Sequence, residues 1–221
     1  MGQIKAADVA KLRKTTGAGM MDCKNALTEV DGDFDAAIDL LRKKGQKVAN
    51  KRADRDATEG AVLAIVSDDN KTGVVVVLNC ETDFVAKNED FVAFAKKIGT
   101  IALENKAADV EAVKALPFGD VTVGEEIITQ VGVIGEKLDL SGYALVEAET
   151  VVGYIHPGNK LASMAGFNVA DFDEQTGKDV VMQIAAMSPV AIDKEDVSEE
   201  MIAKEIEIGK EQAIAEGKPA Q

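Results

Sequence analysis

The run Val74-Val75-Val76-Val77-Leu78 limits the fold of this chain more than any other stretch. With no polar residue at either parity of an extended chain, it fits a strand buried on both faces. Asn79 to Lys87 follow as a connection, and Asn88-Glu89-Asp90 then opens a strongly periodic helix. Phe84 therefore sits on the connection, inside neither element. An aromatic between Asp83 and Lys87 at a strand-to-helix turn either anchors in a partner's pocket or folds back to staple the helix start. Local sequence leaves both readings open.

The 221 residues are enough for one large or two small domains with a real core. With seven Phe and no Trp, that core must be mostly aliphatic. Cys23 and Cys80 lie far apart without a paired spacing, and no charged-then-apolar leader precedes the first helix, so a reducing cytoplasm is the expected compartment. No apolar run nears the ~18 residues of a membrane span, and Met1 to Ala6 lack a myristoylation signal. Charge is uneven: residues 1 to 55 hold 12 Lys or Arg against 8 Asp or Glu, leaving 13 against 31 in the remainder. So acidic a body repels phosphate backbones, which argues against direct nucleic-acid binding.

The first module reads as helical. Ile4, Val9 and Leu12 recur at helical spacing, Gly17-Ala18-Gly19 interrupts, and Met20, Cys23, Leu27 and Val30 resume. Asp33 suits the cap of a third helix carrying Phe34, Ala37, Ile38 and Leu41, expected to end at Lys43-Lys44 with Gly45 just beyond. Residues 1 to 45 thus form a small three-helix, ubiquitin-associated-like bundle. Asp31, Asp33 and Asp35 mimic a calcium loop, but Ala36 and Arg42 stand where Gly and a bidentate Glu belong, so no metal is expected. Gly17-Ala18-Gly19 lacks a preceding strand and a third Gly, and no phosphate loop occurs, so no nucleotide or other cofactor is expected.

Residues 46 to 56 are polar and charge-alternating, as in a linker or an exposed helical extension. Ala61 to Val66 and Val74 to Leu78 flank a turn-rich loop and read as an antiparallel hairpin. The helix after the connection places Phe91, Phe94, Ala95, Ile98, Ile101 and Ala102 on one stripe, which assigns both Phe residues to core. Thr122 and Glu125 fit a capping box, although Gly124 and Gly132 weaken the helix behind it. Tyr143 to Ala148, Val151 to Ile155 and Leu161 to Phe167 read as strands, with Pro157-Gly158 at the centre of a type II turn. Lys178 to Met187 is helical, with Val180, Val181, Ile184 and Met187 inward. Hairpin then helix occurs twice, so the fold class is α+β with a duplicated hairpin-plus-helix core, in halves 57 to 140 and 141 to 221. Asp196 and Glu199 start the last helix, with Ile202, Ile206, Gly209 and Ala213 on one side.

Three of these stretches also carry a resemblance. Asn79-Cys80-Glu81-Thr82-Asp83-Phe84-Val85-Ala86-Lys87 resembles one signature of the bacterial translation elongation factor Ts family, departing at Val77 where that family more often has Glu. Leu12 to Leu27, with Arg13-Lys14-Thr15-Thr16-Gly17 and Met20-Met21-Asp22-Cys23-Lys24, is similar to the family's other signature. Tyr154-Ile155-His156-Pro157-Gly158 resembles its hairpin whose His faces the partner.

The resemblance implies a guanine nucleotide exchange factor for the GTPase elongation factor Tu, performing no covalent chemistry itself. It implies that Thr82, Asp83, Phe84 and Val85 disturb the partner's Mg²⁺ site, that His156 is a second contact, and that Arg13, Met20 and Met21 contact the partner from the head. At least one of the two Met is expected in the core. Longer members continue from about residue 217 into a helical protrusion and a further module, so the chain is read as a short or truncated form; a homodimer is left open. Two alternatives stand beside it. The head could serve a non-catalytic adaptor, and Cys80 or Cys23 with His156 could form a thiol hydrolase, for which no motif speaks.

Overall fold

A computed structural model describes residues 4–170 and 172–217. The chain up to Ala185 forms one compact unit and the chain from Ala186 on a second. The first opens with α1 (Ala6–Thr16), α2 (Met20–Glu29) and α3 (Phe34–Arg52), followed by β1 (Glu59–Val66) and β2 (Thr72–Cys80). Next come α4 (Asp83–Ala86), α5 (Glu89–Asn105), α6 (Val110–Ala115), the two-residue strands β3 (Pro117–Phe118) and β4 (Val121–Thr122), and α7 (Val123–Ile134). Then follow β5 (Asp139–Glu147), β6 (Thr150–Ile155), β7 (Ala162–Phe167) and α8 (Glu174–Met187). The architecture is α+β, with antiparallel sheets ordered β1-β2-β5, β3-β4 and β6-β7.

The Val run forms the central strand, but only one of its faces is fully buried, not both as expected. β2 is central, paired with β1 at Leu63↔Val76 and with β5 at Val76↔Tyr143. One face, with Val76 and Leu78, is fully buried together with Ala95, Ile98 and Ala102 of α5. Each fully buried Leu, Ile or Val contributes about 1.5–3 kcal/mol from water exclusion. Val75 and Val77, of opposite parity, are half-buried. The β6-β7 hairpin is tied to the first by Val62 N donating to Asn159 O (2.7 Å) and Val151 N donating to Asn70 O (2.6 Å).

Local signals act as expected at several ends. Asp33 Oδ1 accepts from Ala36 N at 3.0 Å, Asn88 Oδ1 from Asp90 N at 2.8 Å, and Thr122 with Glu125 forms the reciprocal capping box. Phe91 is buried, and Phe94 packs edge-on to Phe118 with ring centroids 5.8 Å apart. A second cluster, Val9, Leu12, Ala18, Cys23, Ala26, Leu27 and Ala37, forms the core of the three N-terminal helices.

Other expectations fail. α3 does not stop at Gly45 but runs to Arg52, and Gly45 is buried in its interior. The reason is its crossing with α7, where a Cβ on Gly132 would stand 2.6 Å from the Gly45 Cα. Both glycines serve a close helix approach, and the packing outweighs their ~1 kcal/mol propensity cost. On α8, Val181 is buried and Ile184 half-buried as expected, but Val180 and Met187 are exposed. In the second unit, Lys194–Asp196 is a 3-10 turn, and Ser198, not Asp196, caps α9 (Glu199–Ala215) by accepting from Met201 N at 3.3 Å. α9 buries none of its residues, so Ile202 and Ile206 are exposed.

Candidate functional site

β2 ends at Cys80, and the next two backbone N–H groups leave the sheet with no ladder partner. Glu136 supplies one: its Oε2 accepts from Glu81 N at 3.1 Å and Thr82 N at 3.0 Å, while its Oε1 accepts from Thr82 Oγ1 at 2.7 Å. The Thr82 hydroxyl in turn caps α4, accepting from Val85 N at 3.5 Å. Ala86 is buried, which pins the inner side of this single turn, and Asn88 starts α5 directly after it. The outcome is that Phe84 points away from the protein and is 84% exposed. It does not staple the helix.

Charge around the turn is arranged rather than random. Lys87 Nζ lies 2.6 Å from Asp83 Oδ2, and this hydrogen bond and charge, with Lys160 adding to them, hold the Asp83 carboxyl below the usual carboxylate range. Lys160 pairs with Glu59 at 2.7 Å. Burial pushes the Glu81 carboxyl up, but the Lys137 N–H at 2.6 Å, Arg52 at 2.7 and 2.9 Å, and Arg55 at 3.8 Å outweigh it and leave it lowered. Cys80 is buried, and desolvation together with the Glu136 charge raises its thiol to about 11. A thiol so placed is protonated at neutral pH and makes a poor nucleophile.

The β6-β7 turn reaches the same end of the sheet. Asn159 N donates to His156 O at 3.0 Å, and Gly158 has φ +92, as a type II turn with Pro157-Gly158 at its centre requires. His156 is exposed, its Nδ1 2.8 Å from the Tyr154 hydroxyl. Lys160, just past this turn, pairs with Glu59, which lies opposite Cys80 at the end of β2, so the His156 turn sits at the same end of the sheet as the Thr82–Val85 segment.

Arg13, Met20 and Met21 occupy a separate surface on the N-terminal helices. Met20 is 49% and Met21 62% exposed, so neither is core. A cleft among α3, α7 and the α1-α2 turn, bordered by Val48, Lys97, Phe118 and Val133, takes in none of these eight residues. Among the described residues, no group of three or more His, Cys, Asp or Glu is placed to hold a metal ion.

A model of the family described as Elongation factor TS matches residues 81–221. Proteins named Elongation factor Ts are similar over nearly the whole chain. That of Christiangramia forsetii is 53% identical over 220 residues, covering 99% of this chain and 80% of the relative. That of Flavobacterium psychrophilum is 53% identical over 222 residues with the same coverage, and that of Amoebophilus asiaticus 52% over 218 residues, covering 98% and 79%. The chain belongs to the elongation factor Ts family. The elongation factor Ts model takes in Thr82–Val85 and His156, while Arg13, Met20 and Met21 lie in the part matched by the relatives.

Residues that sequence inspection misses are Glu136, Arg52, Lys137 and Lys160. Each acts on the turn from far away along the chain, Glu136 from 54 positions beyond Thr82. No short-range pattern marks them. The αL cap at Gly135 is the nearest signal, since it predicts a sharp exit from α7.

Proposed function

We propose that this protein is a cytoplasmic guanine nucleotide exchange factor for elongation factor Tu, acting in polypeptide elongation. A ubiquitin-associated-like head over residues 1–45, whose third helix runs on to Arg52, leads through 46–56 into a duplicated core with halves 57–140 and 141–221. The observation that carries the proposal is Phe84, an aromatic held outward on a hydrogen-bonded helical turn inside a family signature. A GTPase holds its nucleotide through a phosphate-binding loop and a bridging Mg²⁺, so a rigid apolar wedge that shifts the elements supporting the metal weakens the whole site. Phe84 is that wedge. Asp83 orients it, Thr82 and Val85 hold the turn, His156 adds a contact from the neighbouring hairpin, and Arg13, Met20 and Met21 dock the head. No covalent step is needed. The factor binds the nucleotide-free partner better than the loaded one, and linkage makes nucleotide and factor weaken each other equally.

Stopped-flow release of a fluorescent GDP analogue from elongation factor Tu tests this. The chain should accelerate release, and Phe84→Ala should remove most of that acceleration, about 30-fold for a ~2 kcal/mol hot spot. Release at the unmutated rate with Phe84→Ala would sink the wedge. Binding without any acceleration would favour an adaptor, a reading that the exposed Met20 and Met21 also support.

A further inference from the structure

The strongest unassigned feature is the polar hub behind the turn. Gly135 ends α7 in the left-handed region at φ +81, its N–H returning to Val131 O. The chain leaves abruptly and aims the next two residues at the end of β2. Glu136 takes the two backbone donors and the Thr82 hydroxyl described above. Lys137 gives its backbone N–H to Glu81 Oε1 and reaches back with Nζ to Ala53 O and Arg55 O, each at 2.9 Å. Arg52, the last residue of α3, grips both oxygens of Glu81. The end of α3, the exit of α7 and the turn bearing Phe84 therefore converge on two carboxylates.

The chemistry singles out Glu136. Two successive N–H groups past a strand end would otherwise need water, and an ionised carboxylate accepts both with charge-assisted strength. Its second oxygen accepts the Thr82 hydroxyl proton, leaving a lone pair on Thr82 Oγ1 for Val85 N, the third backbone donor of α4. One carboxylate thus fixes the entry of the turn and the rotamer of its cap together. Without the carboxylate the Thr82 hydroxyl proton is free to rotate, and the cap loses the partner that fixes it.

We infer that Glu136 is a positioning residue for the Phe84 wedge, acting through Thr82 without touching the partner. The inference rests on the exchange reading of that same turn. Removing the carboxylate leaves Phe84 in place chemically but lets the turn sample other directions, so the loss falls on the maximal catalysed rate of GDP release and much less on the factor concentration giving half-maximal rate.

The experiment is a double-mutant cycle with Glu136→Ala and Phe84→Ala, measured by catalysed release of a fluorescent GDP analogue from elongation factor Tu. Glu136→Ala is expected to lower the maximal rate by about tenfold, the scale of one lost charge-assisted hydrogen bond. It should cost little more in the Phe84→Ala background. Should Glu136→Ala fold poorly, the isosteric Glu136→Gln carries the test, with a smaller loss of the same kind. Full activity of the Glu136 variants, or losses that multiply with that of Phe84→Ala, would overturn the positioning role while leaving the wedge intact. An inert Phe84→Ala would instead remove the exchange reading itself, so the two failures are distinguishable.

Discussion

Hairpin-then-helix occurs twice in this molecule, and its two strand-to-helix connections treat an aromatic in opposite ways. Between β2 and α5, Phe84 stands in solvent on a one-turn helix. Between β7 and α8, Phe172 is tucked in, its ring 4.7 Å from that of Phe167 and in contact range of Gly177. The second arrangement is the one water favours, since an exposed Phe forgoes about 1.5–3 kcal/mol of burial. What distinguishes the first is its support: a cap at Thr82, a carboxylate clamp from Glu136 and the Asp83–Lys87 pair. Outward projection is imposed by polar contacts, and the apolar surface left unburied there is available to a partner.

The contrast can be broken most sharply by exchanging alanine into each connection. Phe84→Ala should cost about 30-fold in catalysed GDP release with an unchanged thermal midpoint. Phe172→Ala should do the reverse, losing about 2 kcal/mol of stability for a half-buried ring, or about 4–8 °C in Tm for a chain of this size, at a normal exchange rate. If both variants lost stability alike, the two aromatics would play the same structural part and the contrast would be gone.

Gly177→Val sharpens it from the packing side. A Cβ there would lie 2.8 Å from Phe172 Cε2 and 3.0 Å from Val152 Cγ2, so overpacking should lower stability by about 1–2 kcal/mol, read by thermal or denaturant unfolding. His156→Ala removes a proposed contact whose ring pairs with the Tyr154 hydroxyl. About a threefold loss of exchange is expected from a peripheral contact, checked in the same stopped-flow assay.

The smallest effect concerns pH. Glu81 and Asp83 have carboxyls held below their unfolded values. The stability they lend is therefore complete above the unfolded range of about pH 4 and is lost as pH falls through the lower folded values. Hydrogen exchange at the Lys137 amide, which donates to Glu81 Oε1, should be flat from pH 7 to about pH 5 after correction for intrinsic rates, with protection falling only in stronger acid. Protection lost near neutrality would mean that Glu81 does not hold this amide.

Much of the fold was legible because it is written in short-range chemistry. The Val74–Leu78 run, the caps at Asp33, Asn88 and Thr122, and the Pro157-Gly158 turn each depend on residues within about four positions of one another. The candidate site was legible only as a location. Two readings of Phe84 were open, and side-chain support from distant residues separates them. Met20 shows the limit from the other side: its helical spacing from Cys23 and Leu27 suggested core, yet it lies at the first turn of α2, ahead of the buried Cys23, Ala26 and Leu27 on the same stripe, and is exposed. Spacing gives the stripe but not where the stripe runs out.

The sequence by itself determined the elongation factor Ts family, the α+β class, the central strand and the place of the conspicuous turn. Local propensity, capping and signature residues carry those, and they need no knowledge of what lies across the core. Tertiary structure alone decided that α3 runs on past Gly45, because Gly132 admits its backbone. It alone decided that both Met of the head are exposed, and that Phe84 projects while Phe172 does not. These outcomes depend on which surfaces meet between residues tens of positions apart, and packing and polar satisfaction there outweigh the smaller preferences written along the chain.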